Sequence, residues 1–236
     1  MPQGWLRALV TGGLILVPSS ALAQTGAVSG TVTLDGPAPA ARTLEVTTNQ
    51  EVCGESVPAT DVVVEDGNVA YAVVYVDGLE GEAEPAEYLL SNTECQFVPP
   101  VLAAAAGGTL LVENRDDVLH NTHLNFERGS SSRTVGNWAL SLKGSAIRES
   151  RPLRRAGVID VECDAHPWMH AKILVLDHPF FATTDEQGAF EVTGIPPGEH
   201  TLKVWHEVLG ELEQQVTVVA GETARASFVL PAVAGP

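Results

Sequence analysis

Apolar residues in this chain recur at every second position or gather in short runs, and Gly, Pro, Asp and Asn punctuate them. This pattern predicts strands over Val28–Leu34, Thr43–Thr48, Asp61–Val64, Val69–Val76, Thr109–Glu113, Val158–Cys163 and Lys172–Leu176. Further strands follow at Ala189–Val192, His200–Glu207, Glu211–Val219 and Ala224–Leu230. No segment keeps a 3.6-residue period long enough for an amphipathic helix. Ala103–Ala106 is made of good helix formers, but Pro99, Pro100, Gly107 and Gly108 fence it in. The longest connection expected is the Ser-, Gly- and Arg-rich stretch from about Phe126 to Gly157. The class that follows is all-β, of the sandwich type.

The 236 residues suit one main domain and a smaller one. Residues 1–23 belong to neither. Arg7, the apolar run Ala8–Val17 and the small residues Ala21-Leu22-Ala23 have the three-part form of a signal peptide, cut after Ala23. The apolar run is too short to span a bilayer, and the mature protein is expected in the periplasm or outside the cell, without membrane insertion. A boundary is expected near His178, with residues 43–177 before it and 178–233 after it. In the tail, tight turns separate short strands: Thr184-Asp185-Glu186-Gln187-Gly188-Ala189-Phe190, then Pro196-Pro197-Gly198-Glu199-His200-Thr201-Leu202-Lys203-Val204. These runs resemble the small transthyretin-like sandwich of carboxypeptidase regulatory domains. The tail lacks a first strand of its own, and Gly26–Leu34 resembles it, so residues 24–42 are expected to join the C-terminal sandwich.

Charge narrows the partners. With 30 Asp and Glu against 13 Lys and Arg, the formal net charge is −17. That excludes nucleic acid and anionic membrane as partners. It permits a basic redox protein, and it serves solubility equally well. Arg148, Arg151, Arg154 and Arg155 form a local basic cluster, read as a solvated loop in preference to a docking patch. Composition says nothing of the oligomeric state.

The three cysteines are Cys53, Cys95 and Cys163. An odd number in an oxidising compartment calls for one disulfide and one thiol with another task. Pairing Cys53 with Cys95 leaves Cys163, which has histidine company. Cys163-Asp164-Ala165-His166-Pro167-Trp168-Met169 follows one apolar strand, and Asn114 to His123 follows another. An ion cycling between Cu(I) and Cu(II) takes soft sulfur together with imidazole. A trigonal plane of two His and one Cys, with a weak axial Met, tolerates both oxidation states. Cys163, His166 and Met169 can wrap one ion, and a fourth ligand must come from elsewhere, for which His120 is the candidate. His123, on the same segment, is the alternative to His120. Zinc competes for Cys and His, although one Cys and a Met favour copper, and an inert buried thiol is the plainest alternative.

At these residues the sequence resembles the cupredoxins, with the Cys-x-x-His-x-x-Met spacing of the short-loop amicyanin type and a His-Asn-x-His first-ligand segment at 120–123. The resemblance implies a Greek-key β-sandwich holding one type 1 copper through His120, Cys163, His166 and Met169. It implies that Asn121 hydrogen-bonds to the Cys-bearing loop, and that electrons pass through an exposed ligand edge. The function expected is a one-electron carrier, not an enzyme. A copper-trafficking envelope module, docked through its tail, is the alternative. Trp168 is expected to pack on Pro167 or to shield the site. A further metal site from His178, His206 and Glu207 is imaginable if the tail folds back.

Overall fold

The computed structural model describes residues 24–232; the expected signal peptide lies outside them. The fold is all-β, with one short α-helix, Gln50–Cys53, and one 3-10 turn, Pro152–Arg154, among the described residues.

Two cores organise the strands. The first lies between a four-stranded sheet, in the order Ala146–Glu149, Thr109–Asn114, Glu87–Thr93, Gln96–Val98, and a five-stranded sheet. The latter runs Ser131–Leu140, His120–Arg128, Gly157–Glu162, His170–Leu176, Val101–Ala105. Leu90, Leu110, Leu124, Ile159 and Ile173 are fully buried between the two, since alternate residues of each strand face the same side. The second core lies between the sheet Phe181–Thr183, Val73–Asp77, Gly198–His206, Gly210–Val218 and a six-stranded sheet built on Gly26–Asp35.

Gly26–Asp35 pairs antiparallel with Ala189–Ile195 and parallel with Thr223–Arg225 and then Phe228–Pro231. It changes partner at Gly30, where a Cβ would sit 1.4 Å from the Ala226 carbonyl oxygen; only glycine lets the two backbones pass so closely. Residues 64–77, grouped by sequence with 43–177, hydrogen-bond elsewhere: Asn68–Val69 pairs with Gly26–Asp35, and Val73–Asp77 with Phe181–Thr183 and Gly198–His206.

A further sequence expectation differs from the fold. The stretch from Phe126 to Gly157 is no loose connection. It completes the hairpin His120–Arg128/Ser131–Leu140 and adds the edge strand Ala146–Glu149. Ser131–Leu140 is itself an edge, largely exposed on both faces, so it has no apolar alternation to show. Most of the Ala103–Ala106 run, for which the sequence predicts no element, lies in the strand Val101–Ala105, paired in parallel with Lys172–Leu176. Burial beside that strand overrides the helical preference of alanine.

Candidate metal centre

The antiparallel pairing of His120–Arg128 with Gly157–Glu162 sets His123 opposite Glu162. The start of the first strand and the end of the second therefore lie at the same end of the sheet. That register brings His120 beside Cys163, which directly follows Glu162. Two successive turns then fold the connecting loop: His166 N–H donates to the Cys163 carbonyl at 3.1 Å, and Met169 N–H to the His166 carbonyl at 2.9 Å. Cys163, His166 and Met169 are all buried, and His170 resumes the sheet.

Three donor atoms converge. His120 Nδ1 lies 3.0 Å from His166 Nδ1, and Cys163 Sγ lies 3.6 Å from His166 Nδ1. Cys163 is the free thiol. Both imidazoles are 0% exposed. Their outer nitrogens are already engaged: His120 Nε2 with Asp116 Oδ2 at 2.9 Å, and His166 Nε2 with Asn49 Oδ1 at 3.1 Å. Both partners are acceptors, so each ring carries its proton on Nε2 and turns a bare Nδ1 lone pair inward. Two lone pairs at 3.0 Å beside a sulfur repel unless a cation or a proton lies among them. The donor set therefore fits a metal ion. Burial holds both imidazoles below the usual histidine range; the Asp116 carboxylate opposes this at His120, and His120 adds to it at His166. Neutral imidazole is the form that ligates.

The surrounding hydrogen bonds fix the loop. Asn121 N–H points to Cys163 Sγ at 3.4 Å, Asn121 Oδ1 accepts from Asp164 N–H at 2.6 Å, and Asn121 Nδ2 donates to Asn137 Oδ1. Asp116 accepts from Glu94 N–H and Cys95 N–H, and Asn114 Nδ2 donates to the Val118 and Leu140 carbonyls. Cys95 is joined to Cys53. Trp168 donates to the Cys95 carbonyl at 3.1 Å, and its ring centre is 5.0 Å from that of His166. Trp168 thus packs on a ring of the donor set.

His123 stands apart from the donors. Its Nδ1 meets Asp164 Oδ1 at 3.0 Å and its Nε2 meets Thr134 Oγ1 at 3.1 Å; the bond to His123 holds the Asp164 carboxyl below its ordinary range. His178, His206 and Glu207 do not converge on one point. His178 Nδ1 accepts from Phe180 N–H, His206 Nδ1 from Val208 and Leu209 N–H, and Glu207 faces His170. Of the four arginines, Arg148 pairs with Glu87 and Arg155 lies over the Phe126 ring. One expectation is corrected: the ligand edge is not exposed, because His166 is covered by Asn49. Sequence reasoning also missed Asp116, although it stands four residues before His120 in the same segment.

Residues 157–231 match the carboxypeptidase regulatory-like domain. The match begins upstream of the expected boundary, so it takes in Gly157–Glu162, the ligand loop and His170–Leu176 of the five-stranded sheet as well as the tail. A comparison with curated proteins finds no match. Among solved structures, the chain is similar to a copper-containing nitrite reductase from Thermus scotoductus SA-01, at 20% identity over 43% of this chain and 24% of that one, with a TM-score of 0.32. The chain thus spans less than a quarter of the reductase. It is similar to a purple cupredoxin from Nitrosopumilus maritimus, at 21% identity over 39% of this chain and 99% of that one, with a TM-score of 0.32. A third likeness is to amicyanin from Paracoccus versutus, at 20% identity over 44% and 97% of the two chains, with a TM-score of 0.32. Such scores carry no weight for the metal, which rests on the side chains. No helix among the described residues is long and apolar enough to cross a membrane.

Proposed function

We propose that this protein would hold one type 1 copper ion through His120 Nδ1, His166 Nδ1 and Cys163 Sγ, with Met169 as a fourth ligand, and that it acts as an exported one-electron carrier. The observation that carries this reading is the pair of inward Nδ1 atoms 3.0 Å apart, with a free thiol 3.6 Å from one of them and both outer nitrogens committed. Bound there, copper supplies a one-electron couple, since one thiolate with two imidazoles suits both oxidation states.

The chain's own part is to keep that set fixed. Asp116 and Asn49 hold the rings, Asn121 holds the loop, and the surrounding core excludes water. Donors that need not move when the charge changes favour fast transfer. Their burial suits transfer across a covered edge, and it suits neither a reaction on bound substrate nor hand-over of the metal to another protein. The excess of acid matches a basic redox partner.

Metal analysis with a visible spectrum, on protein purified after export, tests the reading. One copper per chain with an intense band near the red is expected. Stoichiometric zinc in a protein that added copper cannot turn blue would refute it.

A further inference from the structure

His166 is covered by a segment distant in sequence from it. Thr43–Glu45 pairs with Ser56–Pro58, and the four-residue helix Gln50–Cys53 lies between them, forming a strap across the end of the first sandwich. The strap is tied down at several points. Cys53 is joined to Cys95, and Val46 and Val57 are buried in the first core. Gln50 Nε2 donates to the Val46 carbonyl at 2.7 Å, and Gln96 Nε2 donates to the Pro58 carbonyl at 2.7 Å.

Asn49 opens the helix in this strap. An asparagine there ordinarily turns its side chain back to cap its own helix, but Asn49 makes no such bond. Its backbone carbonyl receives Val52 and Cys53 N–H, while its side chain reaches a residue 117 positions away. The amide is oriented from its other end: Nδ2 faces Glu51 Oε1 at 3.4 Å, leaving Oδ1 turned to His166 Nε2. Its φ is 56°, in the left-handed region that asparagine tolerates better than most residues. A side chain that leaves its local partner for a distant buried imidazole is committed to that imidazole.

We infer that Asn49 is a positioning residue for the metal centre: it fixes the Nε2–H tautomer of His166 and closes the ring's outer edge, so that a redox partner meets the strap and not the histidine. The clause on the partner rests on the copper reading. The tautomer does not, and can be read in the metal-free protein.

Long-range ¹H–¹⁵N NMR of the metal-free full chain should find His166 as the single Nε2–H tautomer, with slow exchange of that proton with water. Asn49→Gly keeps the left-handed backbone available but removes the acceptor. In it the proton should exchange at least about tenfold faster, and Cu(I) affinity, read by competition with a chromophoric chelator, should fall by about 10-fold, the lower end for loss of an outer partner. Asn49→Asp retains an acceptor and should keep the wild-type tautomer and slow exchange. A tautomer mixture in the wild type overturns the inference, and so does a Gly variant with unchanged exchange and affinity. If the wild-type tautomer holds and the protein takes up no copper, the role of Asn49 stands and the copper reading falls instead.

Discussion

Each sandwich buries a pair of histidines, and the two pairs are used in opposite ways. In the first, His120 and His166 give their outer nitrogens to Asp116 and Asn49 and turn Nδ1 toward each other and a thiol. In the second, His178 and His206 spend Nδ1 on backbone N–H groups of the turns that follow them. Burial alone does not distinguish a candidate ligand from a structural histidine, since all four are almost fully buried. The direction of the ring does. Side-chain acceptors on Nε2 free the inner lone pair for a metal, whereas a backbone donor on Nδ1 consumes it.

Substitutions should separate the pairs, beginning with the thiol they do not share. Cys163→Ser should abolish the visible charge-transfer band of the copper-loaded protein, whether or not metal is retained; a variant that stays blue would remove Cys163 from the centre. His120→Ala or His166→Ala should weaken copper binding by more than about 100-fold, beyond the ~10–100-fold typical when only an outer partner is lost. His206→Ala should leave copper affinity unchanged and cost about 1–3 kcal/mol in denaturant unfolding, because the Val208 and Leu209 N–H groups lose their acceptor. If His206→Ala weakens copper as His166→Ala does, the comparison fails.

Smaller effects sharpen it. Met169→Leu should keep the colour and raise the reduction potential, since losing a weak axial donor disfavours Cu(II); voltammetry reads the shift, and a potential that stays put or falls would deny Met169 an axial role. The response to acid follows from burial, which lowers the affinity of His178 and His206 for protons and is only partly opposed by nearby carboxylates. An unfolded chain binds protons on these residues from about pH 6.5 downward, while the folded chain resists until a lower pH. Stability is thus present above about pH 6.5 and is lost as pH falls below it. The metal-free protein should melt at a lower temperature at about pH 5 than at about pH 7. His206→Asn, which keeps an acceptor for the two N–H groups but has no proton site, should lose less over that range. An identical loss in that variant would take His206 out of the acid response.

The approach of Cys163 and His166 was legible because it is local: the two stand three residues apart, and the turns at 163–166 and 166–169 fold the connecting loop back on itself. His120 was legible because it begins a strand whose neighbour ends at Cys163. The outer partners were not, for two different reasons. Asp116 stood within the quoted segment but has no spacing that marks it, and Asn49 is brought in by a strap held through a disulfide and two buried valines. The strands at 131–140 and 146–149 were hidden because edge position allows polar residues on both faces, which erases the two-residue rhythm.

The pairing of Gly26–Asp35 with Phe228–Pro231 also constrains how the protein is made. Thr31 and Ser227, at the point where the strand changes partner, are 196 positions apart. At about 5–20 residues per second, the early strand waits roughly 10–40 s for its parallel neighbour to be synthesised. The first sandwich is inserted within that interval and can condense while the second still lacks its last strands. Until then Gly26–Asp35, with Val28, Val32 and Leu34 on one face, keeps an open hydrogen-bonding edge, the feature most prone to pair with another chain.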